Sequence, residues 1–149
     1  MPTPLVNATR RLSRGLGLAR SLVIYWRPGR QRALQRLYAD FIASGDLAFD
    51  IGAHLGDRTA AFQGLGACVV ALEPQPALFA WLERLVGQRR GVTLLPWAAG
   101  AEPGEAELAV SEATPTVSTL AHAWRRDIGE RNPGFRKVRW EGRQRVPVT

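Results

Sequence analysis

Apolar residues recur along positions 31–43 at Leu34, Leu37, Tyr38, Phe41 and Ile42, the spacing of one helix face, and predict a helix that packs on a core. Ser44 and Gly45 close that helix, glycine suiting a C-cap, and Asp46 opens a new element. Leu47, Ala48, Phe49 and Ile51 are interrupted only by Asp50, and so continuous an apolar run predicts a strand buried on both faces, hence a parallel sheet. A turn over 52–57 leads into a helix over 58–65, with Ala60, Ala61, Phe62 and Leu65 as its apolar positions. The unit then repeats. A strand is predicted over 68–72, a helix over 76–86 with Pro76 in its first turn and Leu78, Phe79, Leu82, Leu85 and Val86 inward, and a third strand over 92–95. Strand, helix, strand, helix, strand is the pattern of an α/β fold with a right-handed open parallel sheet. Beyond Trp97 the alternation changes: 104–110 reads as a short exposed strand, 111–134 has no clear period and is expected to be a long mobile loop, and 143–148 reads as a final strand.

Composition narrows this picture without changing it. The 149 residues, 46% hydrophobic, suffice for one ordinary domain, expected over 45–149 and preceded by a basic helical segment over 1–44. The longest apolar candidate for a membrane span, 21–26, is short and closed by Arg27-Pro28-Gly29-Arg30, so no span is expected. Arg10, Arg11, Arg14 and Arg20 mark a basic beginning, but no apolar core and small-residue cleavage site follow, and basic residues recur along the whole chain. A cytoplasmic location is the expectation. The single cysteine, Cys68, lies in an apolar stretch and reads as a small core residue, leaving neither a disulfide framework nor a multi-cysteine metal site. The net charge of +7 is almost wholly arginine, Lys137 being the one lysine, which is the mark of a GC-rich bacterial genome and still attracts polyanions.

The chemistry concentrates where the first strand turns into a helix, at Asp50-Ile51-Gly52-Ala53-His54-Leu55-Gly56. Gly52 and Gly56 let the backbone turn sharply and come close to a ligand, and the following helix N-terminus offers N–H groups to an anion. Asp50 can meet a ligand ammonium. A two-glycine turn by itself is a weak signal, but Glu73 sharpens it. It stands at the end of the second strand, 23 positions after Asp50, where a carboxylate can accept hydrogen bonds from both hydroxyls of an adenosine ribose. Pro74 and Pro76 fix that corner. A nicotinamide dinucleotide would put its ribose in the same place, but its fingerprint is G-x-G-x-x-G, and position 54 is histidine. An amino-acid-bearing nucleoside fits the spacing better.

Asp50 to Gly56, then Ala71-Leu72-Glu73-Pro74-Gln75-Pro76, then Ala98-Ala99-Gly100-Ala101-Glu102-Pro103-Gly104-Glu105-Ala106-Glu107-Leu108, resemble three successive blocks of the FkbM-type methyltransferases. The similarity runs from about residue 45 to residue 149, and the acid-proline-x-proline block is its most distinctive part. The resemblance implies the open parallel sheet of class I (Rossmann-like) methyltransferases, S-adenosyl-L-methionine as cofactor, and methylation of a hydroxyl on a sugar, polyketide or similar small-molecule acceptor. Residue by residue, it gives Asp50, Gly52 and Gly56 to the methionine part of the cofactor, Glu73 to its ribose, and Trp97 and Ala98 to the vicinity of the adenine. His54 stands where such proteins often have asparagine and could still donate a hydrogen bond to the cofactor.

Family members continue past Val146-Pro147-Val148-Thr149 into a further strand, so the resemblance also implies a domain incomplete at its C-terminal side, with half the cofactor crevice and any catalytic base beyond Thr149. The strand at 47–51 would then be an exposed apolar edge. Two other readings stand beside the enzyme. One is a truncated, inactive methyltransferase fragment. The other is a nucleic-acid-binding module built on Trp124, Arg125, Arg126, Arg131, Phe135, Arg136, Lys137, Arg139, Trp140, Arg143 and Arg145; a solvated basic segment with its aromatics tucked onto a core is the preferred account of those residues. His122 has no partner in the pattern. The catalytic residues and the oligomeric state are left open.

Overall fold

The computed structural model describes residues 4–111 and 113–149, and their side chains from residue 15 onward. Residues 1–3, at the start of the basic N-terminal segment, the side chains of Arg10, Arg11 and Arg14, and Glu112 lie outside the described residues. By contacts the chain divides into two compact units, one of residues 22–105 with 146–149, the other of residues 1–21 with 106–145. Among the described residues no helix is long and apolar enough to cross a membrane.

The first unit carries an α/β sheet. Helix α1 (Pro4–Tyr25) ends in it, α2 (Arg30–Tyr38) follows, and then come β1 (Leu47–Ile51), α3 (Asp57–Gly64), β2 (Cys68–Leu72), α4 (Pro76–Val86) and β3 (Val92–Leu95). The three strands form a parallel sheet in the order β1-β2-β3, with Leu47 level with Cys68, Ile51 with Leu72, and Leu72 with Leu95. Both crossovers step the same way across the sheet, and right-handed crossovers that do so lay their helices on one face. The packing agrees. Ala60 of α3 and Leu82 and Val86 of α4 form one buried cluster with Ala53 and Ala71, against which Trp26, Phe79, Leu85, Val92 and Leu94 pack. Phe62, Ala67 and Val69 form a second with Tyr38, Ile42 and Ala48, the Tyr38 and Phe62 rings meeting edge to face at 4.9 Å.

The other face of β1 is not covered among the described residues, which corrects the expectation of a strand buried on both sides. Side chains alternate across a strand, so Leu47, Phe49 and Ile51 share one face, and they are 61%, 59% and 52% exposed. Cys68, level with Leu47, is exposed on the same face and is not the core residue expected of it. A continuous apolar run records only that both faces of a strand are apolar; it does not record which of them is packed. The helix expected over 31–43 is likewise shorter, giving way to a turn after Tyr38, and Leu37 and Phe41 of the expected inward face are exposed.

The second unit holds most of β4 (Gly104–Val110) and β5 (Gly142–Val148), which pair as a two-stranded sheet, and helix α5 (His122–Arg131) between two short 3₁₀ turns. The stretch read as an unstructured loop over 111–134 therefore contains a helix. Nothing on α5 is buried, so it needs no apolar stripe, and a helix without a stripe leaves no period to read. The aromatics are turned on one another: Trp124 meets Phe135 at 5.5 Å and Trp140 at 6.2 Å, both edge to face, and the Trp140 indole N–H donates to the Val117 carbonyl at 2.9 Å.

Candidate functional site

All three parallel strands deliver their C-terminal ends to one edge of the sheet, the edge at which open α/β sheets bind ligands. From Ile51 the chain turns through Gly52 at φ 74°, and the N–H groups of Gly52 and Ala53 both donate to the Leu72 carbonyl, at 2.8 and 2.9 Å. The loop thus hangs from the end of β2, beside Glu73. His54 follows at φ 55° and Gly56 at φ 77°, so every second residue from 52 to 56 is left-handed. Histidine is one of the few non-glycine residues enriched in that region, which is how position 54 does without glycine.

The two glycines serve different ends. A Cβ on Gly52 would meet nothing, so its requirement is the turn itself, and the space in front of it is open. A Cβ on Gly56 would lie 2.6 Å from Leu82 Cδ1 and 3.1 Å from Val86 Cγ2, so this glycine lets α4 pack against the loop. The sequence pattern assigns both the same part, a sharp turn close to a ligand, and does not separate the two.

The acids are held by the chain's own donors. Glu73, 3% exposed, accepts the His54 backbone N–H on Oε2 and the Gln75 backbone N–H on Oε1, both at 2.9 Å. Burial raises its pKa above the usual carboxylate value of 4.5, and the two N–H bonds and a hydrogen bond with the Gln75 side chain partly offset that. Asp50, equally buried, accepts the Thr59 hydroxyl at 2.7 Å and pairs with Arg58 Nε at 3.2 Å. Burial alone would lower the Arg58 pKa, but the charge of Asp50 and its hydrogen bond prevail and raise it. The Gln75 side chain also hydrogen-bonds to Glu73, so of the about four lone-pair sites of a carboxylate Glu73 keeps about one for a further donor.

His54 is buried, and its Nε2 has no hydrogen-bond partner among the described residues. Burial lowers its pKa from 6.5 to about 4; Asp57 works against that and Arg58 reinforces it. The unfolded chain therefore takes up a proton below 6.5 while the folded chain stays neutral down to about 4, so the stability held by the neutral imidazole is full above 6.5 and lost as pH falls. From about pH 7.5 to about pH 5 this group should remove about 2 kcal/mol of unfolding free energy. His54→Asn, which tolerates the same backbone, should flatten that fall in urea titrations at the two pH values. Glu73, with its raised pKa, contributes the opposite slope above 4.5 and is common to both proteins. Equal slopes would contradict the account.

Three residues that sequence reasoning missed also reach this loop. Trp26 Nε1 donates to the Leu55 carbonyl at 3.0 Å, the Tyr25 ring meets the His54 ring edge on at 5.2 Å, and Arg30 donates from Nε and Nη2 to Asp57 Oδ2 at 3.0 and 2.9 Å. They stand where α1 gives way to α2, at least 27 positions before the residues they touch. No local spacing signals such contacts. Of the remaining expected site residues, Trp97 follows the end of β3 and is 38% exposed, and Ala98 is buried, its N–H bonded to the Pro147 carbonyl at 2.8 Å. Asp50, Gly52, His54, Gly56 and Glu73 are thus drawn into one loop and strand-end cluster; Ala98 is fixed beside Val148 instead. No protein-family model and no curated protein matches the chain.

Proposed function

We propose that residues 50–57 and Glu73 bind S-adenosyl-L-methionine, and that the chain carries this cofactor site of a class I methyltransferase that modifies a hydroxyl on a small-molecule or carbohydrate acceptor. The observation that carries the reading is the bond between Glu73 and the His54 N–H: it couples the acid at the end of β2 to a left-handed loop at the end of β1. The residues present fit such a group. Space is open at Gly52, Glu73 keeps about one acceptor site for a ribose hydroxyl and gains a second if the Gln75 side chain yields, and three carboxylates (Asp50, Asp57, Glu73) stand against two guanidiniums (Arg30, Arg58) around a neutral imidazole. That balance suits a cationic ligand better than a pyrophosphate, which also lacks its middle glycine here. The bound cofactor would supply a methyl group from its sulfonium; the chain's own part is to hold and orient it, since positioning provides much of the rate in such a displacement.

Calorimetric titration of the folded chain with S-adenosylhomocysteine and, separately, with NAD tests the reading. Binding of the first alone is expected. Binding of NAD alone, or of neither by a chain shown to be folded, would overturn it. The nucleic-acid reading gains nothing from the second unit, where Trp124, Phe135 and Trp140 contact each other and the Trp140 N–H is engaged.

A further inference from the structure

We propose that Tyr25, Trp26 and Arg30 form a clasp that holds residues 54–57 in their ligand-receiving conformation, so that affinity at this site is set in part by residues that precede the sheet. The clasp rests on geometry of its own; its consequence for affinity rests on the cofactor reading above.

The loop needs an external hold. Leu55 is fully buried, and its carbonyl lies outside any strand or helix ladder, so the Trp26 indole N–H supplies the partner that secondary structure does not. His54 sits at φ 55°, sparsely populated for a residue with a Cβ, and such a backbone persists only where its surroundings fix it. The Tyr25 ring does so from one side, and the Glu73 carboxylate, through the His54 N–H, from the other. Asp57, 4% exposed at the start of α3, has its charge met by Arg30, whose guanidinium also lies 5.5 Å from the Tyr25 ring. One corner of the chain therefore contacts three of the four residues from 54 to 57. That corner is itself stiff: Pro28 restricts it, Gly29 turns at φ 82°, and the Arg30 N–H closes on the Arg27 carbonyl at 3.2 Å. Tyr25, Trp26 and Arg30 are positioning residues, acting on a ligand only through the loop.

The test compares the full chain with Trp26→Phe, which keeps an aromatic ring and loses the N–H, and with Arg30→Gln. Amide hydrogen exchange is read at residues 52–57 and at β2, and S-adenosylhomocysteine is titrated against each protein. In Trp26→Phe the loop amides should exchange roughly ten-fold faster with β2 unchanged, and the dissociation constant should rise by a similar factor. Arg30→Gln should do the same, and adding Asp57→Asn should cost little more, because the partner charge has gone. Unchanged loop exchange in both variants would overturn the clasp, as would an equal rise in β2, which would mark a general loss of stability. Failure of the unaltered chain to bind S-adenosylhomocysteine would overturn the cofactor reading instead, and the exchange data would still decide the clasp.

Discussion

Gly56→Ala is expected to destabilise the folded chain by about 3 kcal/mol, the sum of a left-handed backbone forced on a residue with a Cβ and of overpacking against α4. The backbone sits at φ 77°, and the new methyl would stand 2.6 Å from Leu82 and close to Val86, which are 0% and 1% exposed. Neither neighbour can swing into solvent. Relief must come from moving α4 or opening the loop, so loss of loop geometry should accompany loss of stability. The midpoint of urea unfolding reads the effect. A loss under about 1 kcal/mol would mean that α4 yields easily and that glycine is not required there for packing. Gly52→Ala, at a similar φ of 74° but facing open space, is the control: it should cost only the backbone part of the penalty.

Glu73→Ala should abolish measurable S-adenosylhomocysteine binding, a loss of at least about a hundred-fold, since it removes the ribose acceptor and unties the His54 N–H. It should also cost about 2 kcal/mol of stability, because two buried N–H groups lose their acceptor while the desolvation of a buried carboxylate is relieved. The pH dependence has a definite sign. Glu73 has a raised pKa in the folded chain, so its contribution is greatest where it is protonated, and the gap between the two proteins should narrow as pH rises past 4.5. A variant that binds S-adenosylhomocysteine as the original does would leave Glu73 as a loop tether alone.

Much of this arrangement is legible in the sequence, and the reasons are local. Strands β1 to β3 and helix α4 fall where periodicity, Pro76 and the Ser44-Gly45 stop place them, because each is specified by neighbours within one turn or one strand. The left-handed loop is legible because Gly52 and Gly56 are spaced to require it. What escapes depends on distant partners. That only one face of β1 is packed follows from where both crossover helices lie, and nothing in Leu47-Ala48-Phe49-Asp50-Ile51 states it. Leu37 and Phe41 fit a helix face, yet Phe41 lies past the end of the helix at Tyr38 and Leu37, inside it, is exposed as well. Helix α5 buries nothing and so writes no period. The Trp26 to Leu55 bond spans 29 positions, and an aromatic pair before Arg27-Pro28-Gly29-Arg30 says nothing of what it will meet.

The most direct test of the central claim is an amide chemical-shift map of the isotope-labelled chain on addition of S-adenosylhomocysteine. The account predicts the largest changes at Gly52, His54, Gly56 and Glu73, with smaller ones near Trp97 and none concentrated in α5. An unchanged spectrum from a folded chain, or changes gathered in residues 116–140 with the 52–57 loop silent, would contradict it.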